Sequence, residues 1–438
     1  MALSGLPCRF NKITFHSSLF TNKMPSFSTY NYTPLFNLNK TDFIDLRSNL
    51  NEFIPFGEDN LLPTQLNKLA REIPVHRAIL NAKTNYIIGK GFASNNKMLD
   101  DFIKHPNNEQ TDLASLFRRI VLDYLIHGNA YLEVVTDAKM SFLYLFHVDA
   151  SKVRIGAELD KFLIHPDWES FKGKNDENTT VLPVYPDFKK LPDGLRHSLY
   201  HIKDYEPEFF YYGLCSYFAG LRSIIITGLT NIWNQTRLER HFSSPGLLII
   251  PGVNDETDAA ALDEEFQLHM GAMSAKSMDL IIQYLSDLGP GQSSQAAQYI
   301  QFLQKEEGNW LALHSQAENS LITIHNWFRS LTPYSNETTG FDTNRIINEY
   351  DIAMASVIRP HQSMFMTHLV KLLSDFNYPV ADIEFINEPP IQRINPFKFV
   401  WEVRRDAGLD FNDKDPIQQQ LVIQIKNTFN TIPNTTTT

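Results

Sequence analysis

The stretch YGLCSYFAGLRSIIITGLTNIWNQTRLERHF, running from Tyr212 to Phe242, decides how the rest of the chain is read. Leu214, Phe218, Leu221, Ile225, Leu229 and Ile232 recur at steps of three and four, the spacing of one helical face. Ser223, Thr227, Thr230, Asn234 and Arg237 fill much of the other side. Ser243-Ser244-Pro245-Gly246 cannot continue a helix, so the stop is sharp. At about 1.5 Å per residue such a helix is roughly 40 Å long. The spacing predicts a single rod with the apolar stripe buried. A membrane span needs about 20 mostly apolar residues, and Arg222, Asn231, Asn234 and Arg237 interrupt the run. A plain core helix of a monomeric enzyme satisfies the periodicity equally well.

Downstream of the rod lies a compact acidic insert. Leu247 to Ile250 reads as a strand bounded by Pro251-Gly252, Asp255 to Met273 as a helix, and Leu280 to Leu285 as a second strand closed by Gly289-Pro290-Gly291. Asp255, Glu256 and Asp258 open that helix, where the helix dipole favours acids. Between Ser243 and Ser293 the acids also include Asp263, Glu264, Glu265, Asp279 and Asp287, and Lys276 is the one base. Tyr299 to Phe302 and Trp310 to Leu313 read as short strands, and Ala317 to Phe328 as a second helix. Leu331 to Phe341, with Pro333 and Gly340, reads as a polar loop. A long helix follows from Asn344 to about Phe376, with a kink expected at Pro360.

Upstream, a helical pattern starts at Leu61 with Pro63 in its first turn. It breaks at Pro74 and ends at Gly89-Lys90-Gly91, a turn and not a phosphate loop, since GxxxxGK[ST] is absent. Leu113 to Ile126 is a second helix closed by Gly128. Ala130 to Val135 and Phe142 to Phe146 flank a polar turn, which predicts a hairpin. Further strands are expected at 153–155, 162–164, 181–185 and 198–202, and 173–178 as a surface loop. This part reads as a mixed α+β body. Near the other end, Ile383 to Phe385 reads as a strand, with helix candidates around Pro396 to Ala407 and Pro416 to Thr428. Residues 1–41 hold Arg9, Lys12, Lys23 and Lys40, no acid, and scattered aromatics without a period. They read as a disordered or processed leader, or as an arm anchored by its aromatics on a neighbouring subunit.

With 438 residues the chain has room for two or three domains. A hydrophobic content of 43% and a charged content of 20% give ample core material for an ordinary soluble protein. The two cysteines, Cys8 and Cys215, form neither a disulfide framework nor a CxxC pattern, and no stretch reads as a signal peptide or membrane anchor. A net charge of −11 argues against gripping nucleic acid, which needs clustered Lys and Arg. No GxSxG, HExxH or kinase set is present. His361 and His368 sit seven apart without a third ligand nearby, and His127-Gly128-Asn129 reads as a turn closing a helix. No catalytic, metal or cofactor residue is assigned.

Four stretches taken together resemble the portal proteins of tailed bacteriophages. They are Phe56-Gly57-Glu58-Asp59-Asn60-Leu61-Leu62-Pro63 with the later Gly89-Lys90-Gly91-Phe92, Leu125-Ile126-His127-Gly128-Asn129-Ala130-Tyr131, Tyr212-Gly213-Leu214 opening the long helix, and Ile324-His325-Asn326-Trp327 through Pro333. The resemblance spans roughly residues 55–390. Two departures are a missing proline after Ser216 and a longer link from Gln292 to Ser315.

That resemblance implies an α+β portal fold with a wing, long stem helices, a small α/β clip and a short crown, assembled as a ring. Carried over, 1–60 is an N-terminal arm, 61–212 the wing, 213–242 the first stem helix and 243–293 the clip. Residues 294–329 are then the link and second stem helix, 330–343 the tunnel loop, 344–392 the channel helix and wing return, and 393–438 the crown and tail. The implied partners are identical subunits in a dodecamer, double-stranded DNA in the lumen, the major capsid protein, a terminase and a head-tail adaptor, with no membrane and no cofactor. The implied locations are the capsid vertex and, during assembly, the host cytoplasm. Pro333, Tyr334, Asn336 and Thr338 would then face DNA, and Asp258, Asp263, Glu264 and Glu265 would dock the adaptor or motor. Arg222, Arg237 and Arg240 would face the lumen or pair with the next subunit. Acidity copied around such a ring repels the phosphate backbone and lets DNA slide. The competing classes are another virion structural protein, such as a capsid or tail component, and a cytosolic α/β enzyme.

Overall fold

A computed structural model describes residues 52–173, 176–207, 209–239, 246–251, 261–262, 280–285, 298–301, 307–332, 343–391, 399–406, 409–410 and 412–420. All of them lie in the second of two compact units, Leu35–Thr438; the first, Met1–Pro34, falls outside the described residues. So do residues 1–51 of the expected 1–60 arm; within the remainder Phe53 and Ile54 pair with Gly156 and Ile155, so this stretch belongs to the body and not to an arm.

The body begins with β1 (Phe53–Ile54), α1 (Leu62–Glu72) and α2 (Pro74–Ile88). Pro74 forces Ile73 out of the helical region, to φ −107° and ψ 104°, which makes the expected break. After β2 (Phe92–Ala93) comes α3 (Lys97–Lys104), eight residues whose N-cap Asn96 accepts from the Met98 N–H. The sequence reading did not find it, because so short a segment carries barely two turns of pattern. α4 (Leu113–His127) starts on the Asp112 cap and ends at Gly128, at φ 70°. Ile79, Phe117, Ile120, Phe365, Leu369 and Leu372 are among the core residues that bind these helices together.

Two four-stranded antiparallel sheets complete the body. One has the order β4 (Tyr144–Val148), β3 (Asn129–Thr136), β9 (Arg196–Lys203), β8 (Lys189–Lys190). The other runs β1, β5 (Val153–Gly156), β6 (Lys161–Ile164), β7 (Thr180–Pro183). A single parallel bridge, Val184 to Leu199, joins them.

The FGEDN turn fastens helix to sheet. Asn60 adopts φ 62°, and its Oδ1 accepts from the Phe56 N–H at 3.1 Å and from Arg154 Nε. Arg154 is fully buried and donates to the carbonyls of Asn60, Ser151 and Val153 at 2.7, 2.9 and 2.8 Å. Its guanidinium lies 4.8 Å over the Trp168 ring.

The stretch quoted first is helical over a shorter span than its periodicity predicts. A 3₁₀ turn (Phe218–Gly220) leads into α5 (Leu221–Glu239), 19 residues or about 28 Å. Tyr212 to Tyr217 are instead tied to the body, as shown below. The buried side also differs. Leu221 and Ile224 are buried as expected of apolar residues, but so are Thr227 and Thr230, at 0% and 3% exposure. Leu229 and Ile232 of the expected core stripe are 37% and 48% exposed. The two threonines can be buried because each hydroxyl donates to its own helix, at Ser223 O (3.0 Å) and Ile226 O (2.8 Å).

From α5 the chain enters a three-stranded sheet. β10 (Gly246–Pro251) pairs in parallel with β11 (Leu280–Leu285) and antiparallel with β12 (Gln298–Gln301). Of the expected helix between the first two strands, Ala261 and Leu262 are described, and both are helical. The returning helix α6 (Glu307–Ile324) starts ten residues before the expected Ala317, so Trp310 to Leu313 is helix and not strand. Short polar interruptions at 315–316 hide its continuity in the sequence. It runs antiparallel to α5: Gly220 at the foot of α5 meets Ile324 at the end of α6, where an added Cβ would lie 2.3 Å from Ile324 Cδ1.

The last long helix is interrupted. α7 (Thr343–Ala353) passes through a π turn (Met354–Ile358) into α8 (Arg359–Asp375). The irregularity sits just ahead of Pro360, and the His361 ring bonds the Val357 carbonyl at 2.7 Å. β13 (Glu384–Phe385) pairs with β2, and α9 (Val400–Asp406) follows. The expected helix at 416–428 is turns over 416–419, and its residues from 421 onward lie outside the described ones.

Candidate functional site

The joint between the body and the α5–α6 pair concentrates the buried polar chemistry of the chain. Its hub is Asn129, the residue after the glycine that ends α4. Its Nδ2 donates to His127 O (2.9 Å) and Gly213 O (2.8 Å), and its Oδ1 accepts from Gly213 N (2.8 Å) and His201 Nε2 (2.9 Å). Every hydrogen-bonding position of the amide is used, and all of it is buried. Gly128 and Gly213 let the two backbones touch: a Cβ on Gly213 would lie 2.2 Å from Gly128 O.

Two tyrosines continue the attachment. Tyr212 donates to Ile54 O at 2.7 Å, accepts from Ile155 N at 2.9 Å, and stacks on Phe56 with ring centroids 4.2 Å apart. Tyr217 donates to Ile126 O at 2.7 Å. These bonds hold 212–217 against the body and explain why α5 starts where it does.

The foot of α6 is held from α2. His76 Nδ1 lies 2.9 Å from His325 Nε2, and Lys83 Nζ donates to His325 O at 3.1 Å. The Tyr217 ring contacts both imidazoles, at centroid distances of 4.7 and 5.0 Å. Burial drives His76 down to about 3 and Lys83 down to about 8, with Asp204 opposing the shift of the lysine. Burial likewise pushes the Cys215 thiol up to about 12, so its nucleophilic thiolate is suppressed. Gln362 ties α8 to the same body through Ile87 O and Asn387 Oδ1, both at 2.7 Å. The arrangement fixes geometry: most of its polar groups are spent on one another and on backbone, while His76 Nε2, both ring nitrogens of His127 and Trp327 Nε1 are buried with no hydrogen-bond partner.

The expected site residues fare differently. Arg222 is exposed on α5, one heptad before Leu229 and so on the same flank. Arg237 lies on the α5 backbone, and its side chain, like all of Arg240, falls outside the described residues. Pro333, Tyr334, Asn336, Thr338, Asp258, Asp263, Glu264 and Glu265 also lie outside them. His361 and His368 are both on α8, and His368 Nδ1 is 2.8 Å from Tyr200 Oη. Among the described residues no three His, Cys, Asp or Glu gather as a metal site, and no helix is long and apolar enough to cross a membrane.

The sequence reads Asn129 as part of a turn closing a helix and His325 as part of a motif, and gives neither a tertiary partner; His76 and Lys83 lie within a helical pattern that marks neither of them. An Asn directly after a helix-ending glycine is the one local hint; nothing in the spacing pairs His76 with His325, 249 positions away.

No family model matches the chain. An uncharacterized protein of Rickettsia bellii (strain RML369-C) is 26% identical over 199 residues, which is 45% of this chain and 45% of that one; the match spans under half of the relative. Among solved structures, the chain is similar to the neck of a native gene transfer agent particle computed with C12 symmetry, at 16% identity and TM-score 0.47 over 80% of this chain and 95% of that one. It is also similar to an HK97 family phage portal protein from Corynebacterium diphtheriae, at 12% identity and TM-score 0.37 over 65% of this chain and 84% of that one.

Proposed function

We propose that the chain is the subunit of a phage-type portal: a ring, by family resemblance a dodecamer, at the capsid vertex. Double-stranded DNA passes through its lumen during packaging, is retained there and leaves by it. The ring assembles in the host cytoplasm, contacts the major capsid protein, and docks a terminase and a head-tail adaptor. The subunit has no catalytic step of its own, and ATP hydrolysis belongs to the motor.

One observation carries this reading. Two antiparallel helices rise from a firmly built joint to a three-stranded sheet, and the flank of α5 bearing Arg222, Leu229 and Ile232 is exposed. A sheet of strands six, six and four residues long is small for an independent core. Identical neighbours around a ring would cover both the exposed flank and the outer strand edges.

Native mass spectrometry and particle images of the purified chain test this. A closed ring with a central hole supports it. A pore-free globule, formed even with its virion partners present, rules it out, and turnover by a monomer or dimer would favour an enzyme.

A further inference from the structure

The two imidazoles at the joint share one hydrogen bond. His76 belongs to α2 and is 0% exposed; His325 follows α6 directly and is 1% exposed. At 2.9 Å one ring nitrogen donates and the other accepts, an arrangement that two neutral rings satisfy. The surroundings favour that state. Arg77 on α2 opposes charge on His76, and Lys83, also on α2, opposes it on His325. Ahead of α5, Tyr217 and Cys215 are both held protonated by burial. Asp204, after β9, and His361, on α8, both lie in the field of Lys83.

We propose that the His76–His325 pair is an acid-released clamp, fastening the foot of α6 to α2 while at least one ring is neutral and letting go when both carry a second proton. A first proton from solvent goes to the bare outer nitrogen of the donating ring, which keeps the N–H···N bond but places a buried cation beside Lys83. A second proton turns the accepting nitrogen into a donor, two N–H groups of two cations then face each other, and the hydrogen bond is lost. Release frees the α5–α6 pair from one of its attachments, leaving those through Asn129, Tyr212, Tyr217 and the Lys83 bond to His325 O. The clamp is a property of the single chain and does not depend on ring assembly.

The sign follows from linkage. In the released state each ring titrates near its ordinary value of about 6.5; in the clamped state His76 titrates at about 3 and His325 well below its ordinary value. The clamp is therefore fully effective above about 6.5 and weakens as pH falls from there towards about 3, by up to about tenfold per pH unit for each histidine.

Hydrogen exchange of the full chain, from about pH 7 to about pH 4.5 and corrected for the intrinsic exchange rate, reads the release locally. Protection of residues 317–328 should fall by up to about tenfold per pH unit for each histidine, more steeply than that of β3, whose own sheet is loaded by His201. In the His76→Gln/His325→Gln double variant, whose amides can hydrogen-bond without titrating, the slope should drop to that of β3. Should the double variant not fold, His325→Gln alone should lower the slope. An unchanged 317–328 in the wild-type chain, equal slopes for 317–328 and β3, or a variant slope equal to the wild type's would each overturn the clamp.

Discussion

Asn129 shows how much one amide can hold. Asn129→Ala leaves the Gly213 N–H, two carbonyls and the His201 ring short of a partner in a buried setting. The expected loss is about 3 kcal/mol, given the cost of stranded buried polar groups. Asn129→Asp should cost at least as much, since a carboxylate cannot donate to His127 O or Gly213 O, and urea melts of both variants check this. Arg154 makes the complementary case. Its guanidinium is held by carbonyls, Asn60 and the Trp168 face, and burial lowers it to about 10. His201 is also driven down to about 3 by burial, but it sits in the body sheet, so its protonation loads that sheet and not the α6 foot.

At the scale of the element, α5 presents two unlike sides. The side with Thr227 and Thr230 is buried in the chain; the flank with Arg222 and Leu229 is not. Leu229→Glu/Ile232→Glu should leave the single chain's unfolding midpoint nearly unchanged, within about 0.5 kcal/mol per site, and abolish ring formation on native mass spectrometry. Thr227→Arg, which forces a charge into the buried side, should unfold the helix pair instead. The π turn ahead of α8 places a break of helical register one helix, α7, beyond the proposed tunnel loop. Removing residues 333–340 should leave rings intact and impair DNA packaging or retention. Loss of rings on that deletion would show the loop to be part of the assembly contact.

For the whole molecule, net charge matters more than any one pair. At −11 per chain, a ring of identical copies would carry a strongly negative field, which favours passage of DNA over capture. Asp263→Lys/Glu264→Lys/Glu265→Lys should leave ring stoichiometry unchanged and weaken binding of the terminase or adaptor in pull-down. The wild-type association should in turn weaken as salt is raised.

Much of the element order was legible. Pro74 and Gly128 end helices for reasons local to their own backbones, and the two apolar runs at 247–250 and 280–285 mark strands β10 and β11, whose parallel pairing the structure supplies. What periodicity could not assign was which side of α5 the chain keeps for itself, because a threonine bonded to its own helix is buried as readily as a leucine. Nor could it place the start of α5, which tertiary bonds at Tyr212, Gly213 and Tyr217 decide, or bring His76 to His325. Local steric rules act within a few residues and are written in the sequence. Contacts between residues from 57 to 249 positions apart exist once the body has packed, and they determined the joint.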